Sequence, residues 1–142
     1  LTADHGIVDV AKEKHIYLDE FEELPGLIDV GGDPRATFLY FEGLAEIGDL
    51  RLKLTEWLAG TASVWTVADL VDSGCYSSEV FQHENILPDL IVMPKSDWAC
   101  YHRDFAKVAS LQMIGQHGGL TPEEITVPVI RLAAYSSSLL VP

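Results

Sequence analysis

Asp4 and His5 stand side by side in Thr2-Ala3-Asp4-His5-Gly6, and His117 opens His117-Gly118-Gly119-Leu120-Thr121-Pro122-Glu123-Glu124 near the other end of the chain. A carboxylate oxygen and an imidazole nitrogen both bind zinc at about 2.0–2.2 Å. Structural zinc sites draw on closely spaced Cys and His, whereas ligands this far apart in sequence have to be assembled by the fold, as in a catalytic metal site. Gly6 after His5 lets the backbone turn, and Gly118 and Gly119 after His117 permit close backbone approach. If Leu1 to Ala3 end a strand, Asp4 and His5 lie at its carboxyl end, where open α/β sheets place ligands, and Gly6 turns the chain so that both side chains reach one ion. The competing reading is blander: Asp4 caps a turn beside an incidental His5, and His117 is packed in a turn of its own.

The two motifs resemble those of the alkaline phosphatase superfamily, in particular its type I phosphodiesterase/nucleotide pyrophosphatase family. Between them, Gly31-Gly32-Asp33-Pro34-Arg35 ahead of an apolar strand, and Pro88-Asp89-Leu90-Ile91-Val92 leading to Asp97-Trp98-Ala99, look like the inserted α+β region of bacterial members. The resemblance spans nearly the whole chain. It implies an α/β fold, the C-terminal part of an alkaline-phosphatase-like α/β core carrying an inserted small α+β lobe. Residues 1–20 and 108–142 would be the remnant of the metal-binding core, and residues 21–107 the lobe. Two divalent metal ions, zinc, are implied as cofactors, Asp4 and His5 holding one and His117 the other.

In that family the nucleophilic Thr or Ser and further Asp and His ligands precede the T-A-D-H-G segment, so they are expected ahead of Leu1. On this reading the chain by itself is catalytically incompetent, with weak or empty metal sites, and needs the rest of its own polypeptide. The implied reaction is hydrolysis of phosphodiester or pyrophosphate bonds in small nucleotides. Two ions would stabilise the attacking and leaving oxygens of an in-line displacement, with a hydroxyl nucleophile forming a covalent intermediate. Phosphomonoester hydrolysis, sulfate-ester hydrolysis and phosphoglycerate mutation within the same superfamily are alternatives, as is a non-catalytic α+β binding or oligomerisation module.

Composition narrows the partners. The 142 residues carry 22 acidic against 9 basic side chains, a formal charge of −13, which opposes nucleic-acid polymers because their affinity comes from Lys and Arg on phosphates. A small phosphate ester stays feasible, since bound cations reverse the local potential. With 48% hydrophobic and 22% charged residues the chain can form a core. No apolar run approaches the ~20 residues of a membrane span. Cys75 and Cys100 are read as packing residues, and compartment is left open. The sequence contains no phosphate-cradling G-x-x-x-x-G-K, no G-x-S-x-G elbow and no zinc-finger spacing.

The elements that must position these residues follow from periodicity. Ala36 to Phe41 reads as a strand. Ile47, Leu50, Leu54, Trp57 and Leu58 recur at helical spacing before the stop at Gly60. Ser63 to Trp65 suggests a strand, with Thr66 capping a short helix that ends near Gly74, and the segment from there to Asn85 reads as loop. Leu90 to Met93 reads as a strand forming a hairpin with Trp98 to Tyr101. The acidic stretch 19–23 reads as a solvated loop, and Gly31-Gly32 as a turn signal. Thr121-Pro122-Glu123-Glu124 satisfies the capping box with proline at the first helical position, Val127 to Tyr135 reads as a returning strand, and Ser136 to Ser138 as a loosening tail. His15, His83 and His102 are read as surface or hydrogen-bonded residues, and Phe38, Tyr40 and Trp57 as a core cluster.

Overall fold

The computed structural model describes residues 1–43 and 46–131. In chain order the elements are β1 (Val8–Asp9), β2 (His15–Tyr17), β3 (Leu27–Asp33), β4 (Ala36–Phe41), α1 (Ile47–Trp57), β5 (Ala62–Trp65), α2 (Val67–Asp72), β6 (Leu90–Pro94), β7 (Ala99–Tyr101), β8 (Gly115–Gln116) and α3 (Pro122–Ile125). This is a mixed α/β fold built on small sheets. The largest is antiparallel with strand order β3-β4-β6-β5, while β2 pairs with β7 in parallel and β1 with β8 in antiparallel fashion.

Helix α1 lays Leu50 and Leu54, with Leu58 just beyond it, on one face of the four-stranded sheet, against Leu39, Val64, Leu90 and Val92. Helix α2 covers the other face, where Val67 and Leu70 meet Ile91. Strand β6 is therefore buried on both sides, Leu90 and Val92 facing one helix and Ile91 and Met93 the other. That accounts for its continuous apolar run, which alternation would have broken had one face met water. In β4, Thr37 and Leu39 are buried and their neighbours half-buried, the period-2 pattern of a strand with unequal faces.

The structure departs from the sequence reading at several elements. Strand β6 forms no hairpin with Trp98 to Tyr101: β4 and β5 occupy both of its edges, and β7 pairs with β2 instead. Leu1 to Ala3 form no strand. Thr2 makes an isolated bridge to Val129, and Leu1 and Ile130 exchange two backbone hydrogen bonds of 2.8 Å. That bridge is the described portion of the expected Val127–Tyr135 strand; residues 132–142, with Ser136 to Ser138, lie outside the described residues.

The acidic stretch 19–23 is partly ordered, because Leu18–Glu20 is a 3-10 turn anchored by fully buried Leu18, and Arg103 bonds both Asp19 and Glu20. Ser78–Ile86, read as loop, forms 3-10 turns. Phe38, Tyr40 and Trp57 form no shared cluster: Phe38 packs on the α2 side, while Trp57 is 40% exposed and meets Phe21 at a tilt of 41°. Cys75 is exposed and Cys100 buried, both as free thiols, and burial pushes the Cys100 thiol up to about 12. Among the described residues no helix is long and apolar enough to cross a membrane.

Candidate metal centre

The two end motifs are bonded to each other. Gly6 N–H donates to the Glu124 carbonyl at 2.7 Å, and a Cβ on Gly6 would stand 1.8 Å from the Glu123 carbonyl oxygen. Gly6 is therefore required for close approach of the two backbones, whereas the sequence reading gave it only a turn. Pairing of β1 with β8, Val8 opposite Gln116, continues the seam.

Along this seam the imidazoles of His5 and His117 stack with centroids 4.0 Å apart and planes inclined by 20°. The fold thus unites two of the three residues singled out as ligands, although most of the chain separates them. Asp4 joins from the same side: its Oδ2 lies 3.8 Å from His5 Nε2, and its Oδ1 accepts the His5 backbone N–H at 3.1 Å. His5 Nδ1 is 2.8 Å from the Gly6 carbonyl oxygen. A carbonyl can only accept, so Nδ1 carries a proton and donates, and Nε2 is the ring nitrogen on the Asp4 side. Histidines that bind metals are held in this way, with the second ring nitrogen donating to a backbone carbonyl. The donor set fits a divalent cation, with carboxylate and imidazole as borderline-soft ligands suited to zinc. Among the described residues, however, no group of three or more His, Cys, Asp or Glu side chains is arranged to enclose an ion.

What holds His117 in place is the remainder of its motif. Gly118 takes a φ of +104° with the Asp33 side chain beside it. The capping box forms as read, and Glu124 does considerably more than cap. Its carboxylate accepts from Gly119 N–H at 2.9 Å and Thr121 Oγ1 at 2.7 Å. It also makes a two-pronged ion pair with Arg35, whose Nε and Nη2 donate to Oε1 and Oε2 at 3.0 and 2.9 Å. Arg35 is fully buried and Glu124 is 2% exposed. Burial alone would raise the Glu124 carboxyl; Arg35, Thr121 and Gly119 overcome it and hold the group down at about 2. The amino terminus of α3 is thus satisfied by its own Glu124.

Sequence reasoning gave Arg35 no such role, because nothing in local spacing links it to a glutamate so far along the chain. It also read His15 and His102 as surface or hydrogen-bonded residues. Both are buried, and His15 Nε2 and His102 Nδ1 have no hydrogen-bond partner. Burial, reinforced by Lys12, lowers the His15 pKa. His83 is exposed, in line with the sequence reading.

No family model matches this sequence, and no curated protein matches it by sequence either. Solved structures do match by shape. Murine ectonucleotide pyrophosphatase / phosphodiesterase 5 superposes with a TM-score of 0.65 at 13% identity, over 89% of this chain and 31% of that one. An inactive variant of the murine protein in complex with AMP gives the same values. The human protein gives 0.52 at 14% identity over 71% of this chain and 25% of its own. The chain shares their fold. It spans about a third of the murine protein's length.

Proposed function

We propose that this chain supplies part of the metal centre of a phosphodiesterase or nucleotide pyrophosphatase acting on small phosphate esters, with Asp4, His5 and His117 as ligands. The observation that carries the reading is the 4.0 Å approach of His5 and His117, within a fold shared with phosphodiesterases. The AMP complex of the murine neighbour favours a nucleotide as substrate. Bound cations would polarise a phosphoryl oxygen and stabilise the attacking and leaving oxygens of an in-line displacement. His5 presents Nε2 because Gly6 holds its Nδ1 proton, Asp4 adds negative charge beside it, and the Gly6–Glu124 bond keeps His117 in register with both. None of the three transfers a proton. The remaining ligands and the nucleophile come from outside the 142 residues on this reading, and residues 21–107 act as the inserted lobe.

The test is zinc-dependent hydrolysis of bis-p-nitrophenyl phosphate by the longer polypeptide that the reading requires. Asp4→Asn and His117→Ala should each lower kcat/KM more than about 100-fold, since loss of even an outer partner of a metal ligand costs 10–100-fold. Full activity in either variant overturns the assignment. Comparing the monoester p-nitrophenyl phosphate separates diesterase from monoesterase chemistry.

A further inference from the structure

Glu124 is bonded to glycines on both sides of the seam. Its backbone carbonyl accepts from Gly6 N–H at 2.7 Å, and its carboxylate accepts from Gly119 N–H at 2.9 Å. His5 directly precedes Gly6, and His117 stands two residues before Gly119, so one residue spans the stack of the two imidazoles at 4.0 Å. Gly119 is needed for that contact: a Cβ there would stand 2.7 Å from Glu124 Oε2 and 3.0 Å from Oε1. The place of Glu124 is in turn decided from outside the two end motifs. Arg35 occupies the turn between β3 and β4. Its guanidinium takes both carboxylate oxygens in a fork, and Nη1 donates to the Trp98 carbonyl ahead of β7. The Pro34 carbonyl accepts from Cys100 N–H at 2.7 Å, which fixes the same turn to β7. A planar fork on a carboxylate sets orientation as well as distance, and both side chains are sealed from water. The four-stranded sheet thus reaches the candidate metal centre through the Arg35 guanidinium.

We propose that Arg35 and Glu124 are positioning residues for His5 and His117, the sheet setting through their fork the separation at which the two imidazoles face a bound cation. In its functional consequence the inference rests on the phosphoester reading above. Both residues act through the backbone that carries the histidines and touch neither ion nor substrate. Partners outside a ligand set work by orienting the ligating rings, and their loss costs about 10–100-fold in metal affinity.

Proton NMR of the 142-residue chain reads the arrangement without metal, because stacked rings shift each other's carbon-bound protons upfield. Spectra are taken at a pH alkaline enough to keep both imidazoles neutral. Arg35→Lys keeps a buried positive charge opposite Glu124 but gives up the fork, and should move the His5 and His117 ring protons toward unstacked values. Gly119→Ala leaves both members of the ion pair in place and should do the same by pressing its Cβ against the clamped carboxylate. Thr66→Ala weakens the cap of α2 and should leave both rings unmoved, which separates positioning from a general loss of stability. In the longer polypeptide, zinc affinity measured by chelator competition should fall at least about tenfold in Arg35→Lys and hold in Thr66→Ala. Ring protons that move in Arg35→Lys and Gly119→Ala, with no zinc-dependent hydrolysis of bis-p-nitrophenyl phosphate by the parent, sustain the positioning role and remove the phosphoester reading. Ring protons unmoved in either of these variants when folded, or moved as far by Thr66→Ala, overturn the proposal.

Discussion

At the scale of single residues, Glu124 carries the largest energetic consequence. Its carboxyl sits at about 2 in the folded chain against an ordinary 4.5, so the folded state holds the charged form more tightly than the unfolded state does. Stability from this group is fully present above pH 4.5 and is lost as pH falls toward 2, an effect on the order of 3 kcal/mol at 1.36 kcal/mol per pKa unit. Urea midpoints recorded across that window should fall in the parent and stay nearly flat for this group in Glu124→Gln. At neutral pH that variant leaves Arg35 buried without its counter-charge, a loss of about 3–5 kcal/mol; an unchanged midpoint would contradict the ion pair. Although the role of His5 and His117 as ligands remains the proposal above, their meeting was legible because metal-ligand types beside glycine form a local signal. Arg35 was not, since its meaning depends on a partner that only tertiary structure supplies. His102 was misread for the same reason, its burial being decided by β7 and the loop after it, whereas His15, though buried, is hydrogen-bonded to Tyr17 as read.

Whole elements were legible where periodicity and a stop signal agreed. Helix α1 and strand β4 occupy the ranges read for them, and Thr66 caps α2 with a complete capping box, Asp69 closing it. Backbone donation from Thr66 is the chief cause that lowers the Asp69 pKa. Thr66→Ala should therefore destabilise the chain by about 1 kcal/mol while Thr66→Ser stays close to the parent, a difference visible in thermal melts. Equal melts for the two variants would remove the cap from the account. Strand pairing was harder to read than strand existence. An apolar run such as Leu90 to Met93 announces a strand buried on both faces, but not which neighbours take its edges, and the short spacer to Trp98 imitated a hairpin. The isolated Thr2–Val129 bridge likewise carries no periodicity from which to read it.

Considered as one molecule, the chain distributes its apolar surface unevenly. The four-stranded sheet is covered by α1 and α2, whereas Ile7, Ile114, Leu120, Ile125 and Val129 are each more than half exposed, at 60, 61, 54, 61 and 70%. They flank the seam that joins the two end motifs: Ile7 lies against Gly115, and Ile125 follows the Glu124 that bonds Gly6. Exposed apolar side chains that act as one patch promote association, while a formal charge of −13 on every copy opposes it through repulsion. The two effects respond differently to salt, which shortens the Debye length to about 10 Å at 0.1 M and 3 Å at 1 M and leaves apolar burial in force. Sedimentation velocity on the 142-residue chain should accordingly show little association at low ionic strength and concentration-dependent association as salt is raised. Joint replacement Ile114→Ser and Ile125→Ser should suppress it without moving the thermal midpoint appreciably, because neither side chain belongs to the buried core. A chain that stays monomeric at high salt and micromolar concentration would show that the exposed residues do not act as one patch. Association that persists in the double variant would place the contact elsewhere, with β3 and β5, the outer strands of the sheet, as the next surfaces to alter.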